Sequence, residues 1–200
     1  RQMCIRDRAY ADNAQKVKDS SKIWVNSPVL KVEKTTDKPF YKYGDIITYR
    51  IVLTQEQTGC VARNVTLQDV IDTQGVRLLK DSVILMDEKG NVADADVQIN
   101  DDNTFLMSTG RTLVRDSRYS ICDNDKGGLF EQVMYNPLDC QEQKSMIVEY
   151  QAAVIDAALA GQKVHNTAVA DSSEKIPATG EAETEVHSPI LEIVKESDKK

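Results

Sequence analysis

The chain has 200 residues, 40% of them apolar and 28% charged, enough for one good core and no second one of comparable size. Its formal charge of -7 argues against any role that rests on neutralising nucleic-acid phosphates. No stretch approaches the ~18 uninterrupted apolar residues of a membrane span, and only two histidines, His165 and His187, are available for a zinc site or a histidine relay.

In chain order, residues 1–8 (RQMCIRDR) resemble the translated adaptor remnant found at the ends of environmental gene fragments. They are therefore expected to be non-native, which removes Cys4 from the cysteine count. Residues 9–26 read as the tail of a preceding repeat, with Trp24 packing at the junction. The basis for that reading is an internal echo: SPVLKVEKTTDK at 27–38 returns as SPILEIVKESDK at 188–199, an offset of 161 residues. A fixed-period echo marks a tandem array. The expected organisation is one complete module over 27–187 and the first strand of the next over 188–200.

Within the module the dominant period is two. Leu30, Val32 and Lys34 share one face of the first strand. Ile47, Tyr49, Ile51 and Leu53 share a face of the second, and Val65, Leu67, Asp69 and Ile71 do so on a strand over 63–72. Met146, Val148, Tyr150, Ala152 and Val154 alternate in the same way, as do Val164, Asn166, Ala168 and Ala170. Turn clusters are expected at 43–45, 72–75, 88–91, 101–103, 125–128 and 178–180. A short helix-like stretch covers Ala152–Gly161. Many short strands without a long helix predict an all-β sandwich.

The same alternation places three polar side chains inward: Lys34, Asp69 and Asn166. Burying a lysine, a carboxylate and an amide separately costs several kcal/mol each, so the three are expected to meet. Desolvation moves the lysine toward its neutral amine and the aspartate toward its protonated acid. An amine beside a carboxamide carbonyl can attack it. Asp69 would polarise that carbonyl and relay the proton, ammonia would leave, and a Lys34–Asn166 isopeptide bond would remain. The alternative is a buried Lys34–Asp69 ion pair with Asn166 bonded to a turn.

The runs KTTDKPFYKYGDIITYRIVLT, ARNVTLQDVID and QKVHNTAVADSS resemble the conserved repeat domain of bacterial surface proteins and the related fimbrial isopeptide-forming domains. The resemblance covers about 27–187, most weakly between about 87 and 145. It implies an immunoglobulin-like module carried in tandem on adhesins, pilins and wall-anchored stalks. It also implies that Lys34, Asp69 and Asn166 are the reactive set.

Other signals are weaker. Cys122 and Cys140 bracket a polar, turn-rich insertion and would staple it as a disulfide, leaving Cys60 free or partnered elsewhere. Asp123–Gly128 opens like a calcium loop, but the twelfth position is Met134 rather than a glutamate, so solvated turns are expected. Ile176–Gly180 resembles a sorting signal without the apolar span that should follow it, and reads as a loop. No cofactor, metal or enzymatic turnover is expected beyond a single self-cross-linking event.

The expected role is a structural stalk, adhesin or pilin module on the outside of a bacterial cell. Its partners would be neighbouring repeats of the same chain, with no nucleic acid and no membrane insertion in this segment. The alternative is an uncross-linked adhesin domain that binds a host protein or glycan.

Overall fold

The computed structural model of the protein describes residues 27–57, 60–115 and 142–188, together with the backbone of 2–9 and 17–24. The strands, in chain order, begin with β1 (Gln2–Ala9), β2 (Val17–Trp24), β3 (Leu30–Thr36), β4 (Phe40–Tyr41), β5 (Ile46–Gln55) and β6 (Val61–Ala62). Next come β7 (Thr66–Ile71), β8 (Val76–Leu78), β9 (Ile84–Asp87), β10 (Val92–Ala93), β11 (Asp96–Ile99) and β12 (Thr104–Ser108). The last are β13 (Thr112–Val114), β14 (Glu142–Gln143), β15 (Ser145–Val154), β16 (Lys163–Asp171) and β17 (Ala178–Val186). Among the described residues there is no α-helix, only single 3-10 turns at Lys80–Ser82 and Ala157–Leu159.

Two six-stranded sheets face each other. The first runs β10-β9-β15-β5-β3, with β8 also paired to β15 beyond the end of β9. The second runs β11-β12-β7-β16-β17-β4. A small sheet of β14, β13 and β6 stands beside them, and β1 pairs β2 in an antiparallel hairpin with Gln2 opposite Trp24. β3 and β4 belong to different sheets, so the chain crosses the edge of the sandwich at 37–39.

Each long strand buries alternate residues, as a sheet with one face on a core must. Ile47, Tyr49, Ile51 and Leu53 are fully buried on β5, and Met146, Val148, Tyr150, Ala152 and Val154 are buried on its partner β15. Leu67 and Ile71 of β7, with Val164, Ala168 and Ala170 of β16, supply the opposite face.

Two local expectations are overturned. Ala178–Gly180 is not a turn or a loop: it opens β17, which pairs antiparallel with β16 and parallel with β4. The glycine is needed for a different reason. A Cβ on Gly180 would lie 2.6 Å from both Cγ1 and the carbonyl oxygen of Val32, so only glycine lets β17 lie against β3 and close the sandwich. The helix-like stretch is also wrong over most of its length. Ala152–Val154 finish β15, and only Ala157–Leu159 turn, capped by the Asp156 carboxylate accepting from the Ala158 N–H at 2.8 Å. Pairing of β15 with both β5 and β8 outweighs the helix propensity of the alanines.

Candidate functional site

The three inward polar residues meet between the sheets. Lys34 comes from β3 at the edge of the first sheet. Asp69 and Asn166 come from β7 and β16, neighbours in the second, where Asp69 is opposite Ala168 and Asn166 opposite Ile71. That diagonal puts both side chains on the inner face, two residues apart along the ladder. Lys34 is 7% exposed, Asp69 0% and Asn166 1%.

The Lys34 Nζ donates to Asp69 Oδ2 and, at 2.5 Å, to Asn166 Oδ1. The carbonyl carbon of Asn166 lies one C=O bond, about 1.2 Å, beyond that oxygen. Amine and electrophile therefore stand at the threshold of near-attack range. Burial pulls Lys34 down to about 8 against the opposing pull of the Asp69 charge. Burial also raises the Asp69 carboxyl, with the Lys34 ammonium resisting. Both shifts favour the neutral pair of amine and acid.

A fourth residue belongs to the cluster. The Tyr150 hydroxyl donates to Asp69 Oδ1 at 2.7 Å and accepts from Asn166 Nδ2 at 2.5 Å. Its ring is held by Tyr49, its direct partner across β5 and β15, stacked at 5.0 Å between centroids. Phe105 packs edge-on to it at 5.1 Å. The Lys34 ammonium nitrogen sits 5.3 Å from the Tyr49 ring centroid and 5.6 Å from that of Tyr150, within cation–π range. Sequence reasoning placed Tyr150 inward only as a core aromatic. The available signal was that a buried phenol needs a hydrogen-bond partner.

The other buried amides do something else. Gln55 accepts from the backbone N–H of Val29 and Gln57 and donates to the carbonyls of Gln57 and Cys60. Asn103, at φ +62°, donates to the carbonyls of Thr73 and Val76 and accepts from Leu78 N–H. Both hold loops in place. The sequence places Asn103 in a turn at 101–103 without marking it as buried, and does not mark Gln55.

Cys60 is a free, buried thiol whose pKa is pushed up by burial, so it is a poor nucleophile. Cys122, Cys140 and the acidic stretch 123–128 lie outside the described residues, as does the side chain of Trp24. Among the described residues, no three His, Cys, Asp or Glu side chains gather as a metal set.

No family model matches the chain, and no curated protein matches it. Solved structures do. The major pilin subunit of Bacillus cereus superposes with a TM-score of 0.51 at 9% identity, over 92% of this chain and 48% of that one. The full-length major pilin SpaD from Corynebacterium diphtheriae gives 0.49 at 13% identity, over 78% and 34%. The collagen-binding domain from a Staphylococcus aureus adhesin gives 0.45 at 12% identity, over 78% and 97%. The chain thus spans about half the length of the Bacillus pilin and nearly all of the collagen-binding domain. At 9% identity the likeness to the Bacillus pilin is one of fold alone, an all-β, immunoglobulin-like sandwich.

Proposed function

We propose that the protein is a load-bearing module of a bacterial surface stalk, adhesin or pilin, and that Lys34 and Asn166 join covalently within it. One observation carries the reading. A desolvated lysine amine lies 2.5 Å from the side-chain carbonyl oxygen of an asparagine, with a buried carboxylate in contact to take its proton.

The chemistry is a transamidation. Asp69 removes a proton from the Lys34 ammonium, and the freed amine attacks Cγ of Asn166. The Cγ–Nδ2 bond breaks, ammonia leaves, and an amide joins Nζ to Cγ. No cofactor or oxidant enters the balance, and the event occurs once per molecule.

The bond would tie β3 in one sheet to β16 in the other, residues 132 positions apart. By the chain-entropy estimate used for disulfides, closing a loop of that length is worth roughly 5 kcal/mol. Tension between the module's ends would pass through the amide rather than through the hydrogen bonds of the intervening strands. The echo between 27–38 and 188–199 supports neighbouring repeats as the partners in a tandem array, and the fold supports an extracellular location.

Intact mass tests this directly. The folded protein is expected to weigh one ammonia less than its sequence, with a branched Lys34–Asn166 peptide after digestion. A Lys34→Ala variant is expected at full mass. A parent protein at full mass, or an equal deficit in the variant, would overturn the cross-link.

A further inference from the structure

We propose that Tyr150 is the acid that protonates the departing amide nitrogen of Asn166, completing a proton circuit that Asp69 begins. This rests on the isopeptide reading above and assigns the step that reading leaves open.

The need arises from where the two ends of the reaction lie. The proton to be removed is on Lys34 Nζ, which is bonded to Asp69 Oδ2. The atom that must gain a proton is Asn166 Nδ2, and its hydrogen bond runs to the Tyr150 hydroxyl at 2.5 Å. The same hydroxyl donates to the other oxygen of Asp69 at 2.7 Å. Together with the 2.5 Å contact from Nζ to Asn166 Oδ1, the contacts form a closed ring: amine, carboxylate, phenol, leaving nitrogen, carbonyl, amine. Tyr150 is 1% exposed, and its ring is clamped by Tyr49 and Phe105, so the hydroxyl is positioned and bulk water is excluded.

The protons balance. The cluster starts as ammonium and carboxylate, and Asp69 takes the first proton. When the amine has added, Cγ is tetrahedral and Nδ2 has lost its amide conjugation, leaving a lone pair beside the phenol. Tyr150 then gives its proton to Nδ2 as the Cγ–Nδ2 bond breaks, and takes the proton that Asp69 holds. The second proton of Nζ passes to Asp69. The products are the amide, one ammonia, a protonated Asp69 and a Tyr150 unchanged from the start. Burial raises the Tyr150 phenol well above its ordinary value, so it keeps its proton at neutral pH.

The test follows the full chain by intact mass at intervals after cell-free synthesis, scoring the fraction that is one ammonia light. Tyr150→Phe keeps the ring stack and removes the hydroxyl. It is expected to form the bond on the order of a hundred-fold more slowly than the parent, the scale of general-acid catalysis. Tyr41→Phe, which removes a core phenol bonded to Asp37 outside this ring, is expected to match the parent. Bond formation in Tyr150→Phe at the parental rate would overturn the role of Tyr150 and leave the cross-link standing. A parent that never loses ammonia would overturn both. Should near-ultraviolet circular dichroism show Tyr150→Phe unfolded, a difluorotyrosine placed at 150 keeps the hydrogen bonds and makes the phenol more acidic. A several-fold change in rate is then expected, and an unchanged rate would overturn the proposal.

Discussion

Gln55 and Asn166 carry the same carboxamide into the same core, at 0% and 1% exposure, yet their surroundings differ in kind. Every hydrogen bond of the Gln55 amide goes to backbone, and its oxygen is occupied by two N–H groups that stabilise it as it stands. The Asn166 amide is bonded to side chains, its oxygen facing an amine and its nitrogen facing a phenol. Burial of a polar group therefore says little about reactivity. What would separate an anchoring amide from a reactive one is whether its partners can exchange protons and one of them can attack.

The sharpest way to break this comparison is at the lysine. Lys34→Ala and Asn166→Ala should both lose the proposed cross-link, which would be worth roughly 5 kcal/mol. The lysine variant also leaves Asp69 buried without its counter-ion, a further loss of about 3–5 kcal/mol. Guanidinium titrations should therefore rank the parent above Asn166→Ala and Asn166→Ala above Lys34→Ala. Equal midpoints for the two variants would mean the ion pair adds nothing beyond the link. Gln55→Ala tests the other side. It strands two backbone N–H groups and two carbonyls, so about 1–3 kcal/mol should be lost, with the ammonia deficit in the mass unchanged. A missing deficit there would show that the two amides are coupled.

The smallest effect is in pH. In Asn166→Ala the lysine stays free, with a folded value near 8 against 10.5 unfolded. Between these values the unfolded chain binds a proton that the folded chain does not, so stability should rise with pH. The rise should run from about pH 8 to about pH 10. Above that the sign reverses, because Tyr49 and Tyr150 are raised by burial and folding then opposes their ionisation. At acid pH the raised Asp69 acts in the opposite direction, and stability should fall as pH climbs from 3.8. Chemical denaturation at fixed ionic strength from pH 3 to 11 would read all three slopes.

Much of this was legible from alternation alone. A period of two says which side chains share a face, and it placed Lys34, Asp69 and Asn166 inward because neighbouring positions on each strand are strongly apolar. The same rule continued one step past Leu53 reaches Gln55, so that buried amide could have been found. Tyr150 could be placed inward but not assigned a partner, since its contacts depend on how closely two sheets approach. Gly180 was misread for a related reason: Thr-Gly looks like a turn along the chain, while its constraint comes from Val32 across the sandwich. Asn103 sits in a turn whose burial depends on the loop 73–78 that it pins. Local pattern reads the faces of strands, and what one face touches on another strand is beyond it.

The hydrogen-bonded ring draws Lys34 and Tyr150 from one sheet and Asp69 and Asn166 from the other, so it does not exist until the two sheets have docked in register. A molecule carrying the proposed link would thus be a chemical record that its chain once reached the native arrangement, kept even if the chain later unravels. Such a chain no longer has to close a loop of 132 residues by diffusion, and should refold faster than one that has never folded. The first folding of each molecule would make every later one easier.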